Sequence, residues 1–468
     1  MKKRIVLMTL AVSMLAAGLS SCGAKKETNT EGKISVSIGE WPSENRPKDR
    51  EKWDEYKKEM NEKYPDIEII PDEWAYDVQT FLPKASSGLL PTLYPCFLTE
   101  TKKIIKAGYA ADITDVVNEK GWAEYLDKDL LALCEKDGHY YGLPRESYKM
   151  GLACNAELFK KAGLVDENGV PKFPQTWEEL GETAGIIKEK TGQAGFVLPT
   201  TNNVGGWHFM NIAWAYGTEF MKQGDDGKWT ATFDSPECIA ALQFVKDLKW
   251  KYNALPDNAL IDQQEMQKLF AVDQGAMYMT SRPDVYLTQT YGMPFDRWSY
   301  TKMPAGPKGR YALLGGKTWM FAQNATKEQV EACLKWLEIS YGYKPAITEE
   351  EQAAYLEKQK ENLNTQLSDG YSIVYQGTTG IWDLPDLSKK VDALAREMAN
   401  IDLKMVESSF DMSDVNVKPE EPMNCQDLYS MLDSCIQAVL TEKDADPAAL
   451  IKKANADFQA NFLDKAES

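Results

Sequence analysis

Lys33-Ile34-Ser35-Val36-Ser37-Ile38-Gly39 alternates polar and apolar side chains, and Ile67-Glu68-Ile69-Ile70 follows it beyond a helical stretch, Glu51 to Tyr64. Successive strand side chains point to opposite faces, so a period of two fits a half-buried strand. A strand, a helix and a strand in this order make a βαβ unit, whose strands lie parallel in one sheet. The pattern continues outward. Phe81 to Gly88 reads as a helix stopped by Gly88 and Pro91, Leu93 to Leu98 as a third strand, and Thr101 to Ala107 as a helix closed at Gly108.

Farther along, Gly151 to Cys154 and Ala194 to Leu198 read as strands, and Thr176-x-x-Glu179 between them as a capping box that opens a helix. Ser235 and Pro236 have the N-cap and first-turn chemistry of another helix. Strands follow near Ala276 to Met279 and Ala312 to Phe321, and Thr326-x-x-Gln329 opens the next helix. From Thr348, the head of a third capping box with Glu351, the pattern is mostly helical to the end.

Composition bounds the function. The 468 residues exceed what one core holds, since cores stop growing near about 250–300 residues. With 43% apolar residues, 26% charged residues and 13 Trp, a disordered chain and a polytopic membrane protein are excluded. The net charge of −18 disfavours nucleic acid as a partner, because phosphates need Lys and Arg. Lys2, Lys3 and Arg4 precede an apolar run, Ile5 to Ala17, which has signal-peptide length and is too short to span a membrane. The run leads to Leu19-Ser20-Ser21-Cys22-Gly23, which resembles the lipobox of bacterial lipoproteins. That resemblance implies a signal peptide over 1–21, a lipid on Cys22 and a tether over 22–32. The chain is then extracytoplasmic, and it meets the cell membrane through the anchor only.

The chemistry-bearing motifs are mostly missing. Cys333 and Cys435 fall in apolar series of helical spacing and read as core hydrophobes, and no CxxC pair occurs. His139 and His208 are the two histidines, too few for a zinc site or a His-based triad. Gly316-Lys317-Thr318 lacks the glycine that a phosphate loop needs five positions earlier, where Tyr311 stands. The acidic turns Asp166 to Gly169 and Asp225 to Gly227 fail the spacing of a calcium loop. No metal, no cofactor and no catalytic set are expected, so the chain is read as a non-enzyme.

A set of longer stretches is more specific. Asp137-Gly138-His139-Tyr140-Tyr141-Gly142-Leu143-Pro144 is followed by Asn155-Ala156-Glu157-Leu158-Phe159-Lys160-Lys161-Ala162-Gly163-Leu164 and by Pro174 to Leu180. With Ala85 to Pro91, Gly108 to Thr114, Phe270 to Met277 and Gly315 to Trp319, these resemble the extracellular solute-binding proteins of carbohydrate ABC importers, the family that includes maltose-binding proteins. The likeness runs from residue 33 to about residue 340. Cys154-Asn155-Ala156 departs from the family's usual "YNK", and the helical tail beyond Ser340 is longer than the family minimum. The resemblance implies an α/β, two-lobed, periplasmic-binding-protein-like fold with an extra helical C-terminal region and a hinge crossed about three times. The crossings are expected near Glu146 to Lys149, Tyr300 to Pro304 and Tyr341 to Pro345. Lobe 1 is then 33–147 plus 303–342, and lobe 2 is 150–300 plus 346–468. The implied task is capture of a sugar or oligosaccharide between the lobes by a monomer, and its delivery to ABC transporter permease subunits.

Sugar chemistry narrows the site. A ring face of C–H bonds suits an aromatic side chain, while adjacent hydroxyls suit carboxylates, amides and Arg. Sites in open α/β sheets lie beyond the carboxyl ends of strands. The candidates are Glu40, Trp41, Glu100 beside Thr99, Arg145, Glu146, Trp207, Ser281, Arg282, Gly316, Trp319 and Trp382. Trp177, Trp250 and Trp336 occupy apolar helix positions and are assigned to the core. Three alternatives stay open: the same architecture holding a peptide, polyamine or anion, a lipid-anchored glycoside hydrolase with paired carboxylates, and a surface adhesin, which would have no deep cleft.

Overall fold

Ile34–Ile38 runs parallel to Ile67–Pro71 and meets Leu93–Phe97 in parallel as well. The crossover is the helix Pro47–Lys63, which starts on proline where the missing N–H costs nothing. This is the βαβ unit expected from the alternation. The computed structural model describes residues 32–281, 285–368 and 380–466. The signal peptide, Cys22, the tether up to residue 31 and Arg282 lie outside the described residues.

Beyond the first three strands the sheet is mixed. Leu93–Phe97 pairs antiparallel with a 13-residue strand, Gly309–Phe321. That long strand also takes Gly142–Lys149 antiparallel and Val415–Pro419 parallel. A second sheet, of Met277–Thr280, Gly151–Asn155 and Trp298–Lys302, is antiparallel throughout. The expectation of parallel pairing fails here because these strands come from distant segments, so local strand–helix alternation does not govern them. Ala194 to Leu198 forms no ladder: Ala194 bridges Gly275, Gly195 N–H donates to Ala254, and Val197 N–H donates to Met277. The two-lobed class holds, with helices covering both sheets.

The helix starts follow their caps. Thr326 and Gln329 close a reciprocal box, as do Thr348 and Glu351. Thr176 accepts from the Glu179 N–H, but the Glu179 carboxylate takes the Gln175 N–H instead of closing the box. Ser235 caps Pro236–Trp250 as expected. Trp177 and Trp336 are buried, whereas Trp250 is 37% exposed with its indole N–H on the Val439 carbonyl. Near the end of its helix, its amphipathic ring reaches the surface. The seven cysteines among the described residues are free and buried.

Two large cores meet at the long strand. One gathers Phe209, Trp214, Leu242, Leu313 and Leu432, and the other Val36, Trp41, Trp319, Phe321 and Trp336. Gly309–Phe321 therefore starts in one core and ends in the other, changing over between Leu313 and Trp319. The tail is shared too. Ile381 and Trp382 pack on the second core, while Cys425–Thr441 lies in the first.

The changeover contains Gly315 and Gly316, opposite Tyr148 and Ser147. A Cβ at Gly316 would drive into the Glu146 carbonyl oxygen, and one at Gly315 into the Tyr148 ring. Gly316→Ala should therefore cost about 1–3 kcal/mol, the usual penalty for overpacking. Urea unfolding measures it. An unchanged midpoint would show that the two strands tolerate separation.

Candidate ligand-binding site

The helix Val204–Tyr216 begins directly after Asn202 and Asn203, two consecutive residues with φ near 60°. Its first turn carries Gly205, Gly206 and Trp207. A Cβ at Gly206 would strike the Tyr429 backbone, so the glycine lets Cys425–Thr441 lie directly on this helix. Asp433 of that neighbour accepts the Asn203 N–H at 2.7 Å and the Gly206 N–H at 2.6 Å. A carboxylate at a helix N-terminus satisfies donors that have no partner within the helix. The turn holding Trp207 is thus fixed from both sides.

Trp207 is half-buried and borders two adjoining cavities, of about 240 and 270 Å³; the first is lined from both sheets, and the second from the larger sheet, the start of Val204–Tyr216 and the tail. Both are also bordered by Tyr148 and Gln263. Glu146 and Ser281 line the first, and Gly316, Phe97 and Asn202 line the second. Tyr148 stands edge-on to Trp207 at 6.5 Å. His208 is buried beside the first cavity, and its Nδ1 has no partner among the described residues. Burial pulls its pKa down to about 3, so the ring is neutral.

Two acids from the tail shape this cleft. Burial pushes Glu420 up to about 7, against the Tyr429 hydroxyl, which donates to it at 2.8 Å, and the Trp207 indole N–H. Burial likewise pushes Asp433 up to about 6, against the backbone N–H groups of Gly206, Asn203 and Gly205. Among the described residues no Lys or Arg borders either cavity.

The candidate residues divide. Glu146, Trp207, Ser281 and Gly316 line the cleft. Glu40, Arg145 and Trp319 converge on each other instead. Glu40 accepts from Arg145 at 2.6 Å and from Lys317 at 2.8 Å. The Arg145 guanidinium lies 4.5 Å over the Trp319 ring and 5.4 Å over Tyr341. Burial works to raise the Glu40 pKa, but the two cations outweigh it and hold it below the usual carboxylate range. Trp41, expected to be open after its strand, is 2% exposed and stacked on Trp336 at 5.4 Å. Trp53, on the crossover helix, stands edge-on to it, so the flanking turn residues were a poor guide to exposure. Trp319 is 1% exposed. Glu100 is buried on the Tyr76 hydroxyl at 2.9 Å. Trp382 packs on Tyr343 and Trp122 beside a separate cavity. Arg282 lies outside the described residues.

Tyr148, His208, Gln263, Glu420 and Tyr429 were not picked out from the sequence. Tyr148 falls inside the expected first crossing. Glu420 follows directly after the strand Val415–Pro419, so the strand-end rule finds it once that short strand is read within a tail of helical composition.

The fold is two-lobed, with a cleft around Trp207. The comparisons then give the family: residues 45–338 match the bacterial extracellular solute-binding protein, and the chain belongs to that family. A protein of Brucella abortus named only as a binding protein is 24% identical over 330 residues, 69% of this chain and 76% of that one. An ABC transporter solute-binding protein of Thermotoga lettingae, bound with alpha-D-tagatose, superposes with a TM-score of 0.68 at 20% identity, covering 93% of this chain and all of that one. UgpB of Mycobacterium tuberculosis, in complex with glycerophosphocholine, gives 0.69 at 17%, with 93% and 100% covered. The cyclic alpha-maltosyl-1,6-maltose binding protein of Arthrobacter globiformis gives 0.62 at 20%, with 92% and 99% covered.

A carboxyl whose folded pKa is raised contributes stability that is present below its unfolded pKa and lost as pH rises through the folded value. For Glu420 and Asp433 that window runs from about pH 4 to about pH 7. Glu420→Gln should match the parent near pH 4 and melt higher than the parent above about pH 7. Calorimetry across this range checks the sign. A variant that melts lower at neutral pH would show that the charged acid is favoured.

Proposed function

We propose that the protein captures a sugar or oligosaccharide in the cleft around Trp207 and passes it, chemically unaltered, to the permease of an ABC importer. Trp207 carries the reading. Its ring is shared by both cavities, with the N–H facing Glu420 and the His208 ring packed 5.0 Å away, so the part of the ring that borders the cavities is what is left for C–H surface. Around it stand the amides Asn202, Gln263, Gln267 and Gln426 and the acids Glu146 and Glu420, groups that pair with hydroxyls. A lining with acids and amides, and without Lys or Arg among its described residues, favours a neutral polyol over an anion. Relatives of the same fold include proteins bound with tagatose or named for a cyclic maltosyl sugar.

Ser147 and Tyr148 against Gly315 and Gly316 are the proposed pivot. Residues 33–147 then move against 150–300, and the 303–342 segment divides at these glycines. Ligand bridging both sides favours the closed form by its extra affinity for it. The lipid on Cys22 keeps the protein beside its transporter, and one ligated copy serves one docking event.

Differential scanning fluorimetry of the full-length protein in detergent, with mono- and oligosaccharides, tests this. One carbohydrate should raise the melting temperature by mass action, and Trp207→Ala should weaken its binding by about tenfold or more. A shift produced by glycerophosphodiesters, peptides or polyamines alone would sink the sugar assignment. Recovery of a shortened oligosaccharide would make the protein a hydrolase.

A further inference from the structure

A further cavity, of about 300 Å³, lies beneath the helices Glu349–Ser368 and Pro385–Met398. Glu146 borders both this space and the first cleft cavity. The two sites therefore adjoin across one residue of the strand Gly142–Lys149. We infer that this cavity is a subsite for the far end of an extended glycan, so that the protein selects oligosaccharides by length; the inference rests on the carbohydrate reading of the cleft.

The lining has the required chemistry. Tyr355 and Trp382 supply rings, and Gln359 and Ser388 supply an amide and a hydroxyl. The side chains of Tyr355, Gln359 and Ser388 make no hydrogen bond among the described residues, and the half-buried Glu146 carboxylate accepts none. Polar groups gathered around a cavity without partners of their own are available to a ligand. Arg145, also on the lining, is committed to Glu40 and to the Trp319 ring, so it contributes a fixed floor and no free charge. That distinguishes the space from an anion site.

The walls are held in place. Trp382 is packed on Tyr343 and Trp122, and its strand bridge to Leu126 ties it to the body of the protein. Lys344 meets Glu351 at 2.8 Å, and Lys390 donates to Gln352 at 2.8 Å, linking the helices to the body and to each other. A preformed cavity spares a ligand the cost of ordering it. Both helices lie beyond residue 338, where the family match ends. The added tail thus roofs a space whose floor belongs to the shared fold.

Isothermal titration of the full-length protein in detergent with malto-, cello-, xylo-, arabino- and chito-oligosaccharides of two to six units tests the inference. In the series that binds, affinity should rise about tenfold or more between the dimer and the longer members. Ser388→Trp, which fills the cavity, and Gln359→Ala, which removes an amide, should each abolish most of that gain and leave the dimer within about twofold. Affinity independent of length, or a variant loss equal for dimer and hexamer, overturns the subsite and leaves the cleft reading intact. No binding in any series, at any length, overturns both.

Discussion

Two adjacent glycines in the middle of a long strand set how close its partner can come. Gly316 lets the backbone of Gly142–Lys149 approach to a separation that a methyl group would forbid, and Gly315 lets the Tyr148 ring lie across the strand. The same two strands join the two main cores. Their close pairing therefore both joins the two cores and holds Tyr148 and Glu146 at the edge of the cleft. A looser pairing would move the aromatic edge away from Trp207 and open the floor beneath Glu146. The glycine cost in chain entropy is offset by the position it allows.

Charge is arranged so that, among the described residues, the cations stay out of the cleft wall and sit in the support beneath it. Arg145 and Lys317 both spend their charge on Glu40, whose left-handed backbone turns its carboxylate toward them. Burial is costly for Arg145, and the Trp319 and Tyr341 rings beneath it together with the Glu40 carboxylate offset that cost. The cleft acids work differently. Glu420 and Asp433 come from the tail, outside the family match, and reach back to the first turn of Val204–Tyr216. The position of Trp207 therefore depends on residues more than two hundred positions away in the chain.

Those long distances explain what the sequence shows and what it hides. The first βαβ unit was legible because Val36, Ile38, Ile67 and Ile69 repeat with the period of a strand and the crossover helix lies between them. The caps at Thr326 and Thr348 were legible because four residues decide them. The antiparallel sheet was not, since pairing of Gly151–Asn155 with Trp298–Lys302 is set by packing across the whole lobe. Among the site candidates, Glu146, Trp207, Ser281 and Gly316 were reached by counting from strand ends and loops. Trp41 and Trp319 also follow or fill strands, yet their rings are covered by Trp336 and Tyr341 from the helix Lys327–Tyr341. Local sequence cannot tell a ring that a distant helix covers from one left open.

The raised Glu420 acid bears on how a ligand could close the cleft. Burial makes its charged form costly, and among the described residues Tyr429 and Trp207 offset part of that cost. A hydroxyl donating to Glu420 would add a third donor to the same carboxylate. Such a bond is worth most where water is excluded, which is the closed arrangement. On the proposed hinge motion, an open form that let water reach the acid would already satisfy it. The gain is therefore differential, and only a differential gain shifts the balance between two conformations. On that reading, an aromatic platform alone would bind in either state, and the partly compensated acid beside it would make binding favour closure.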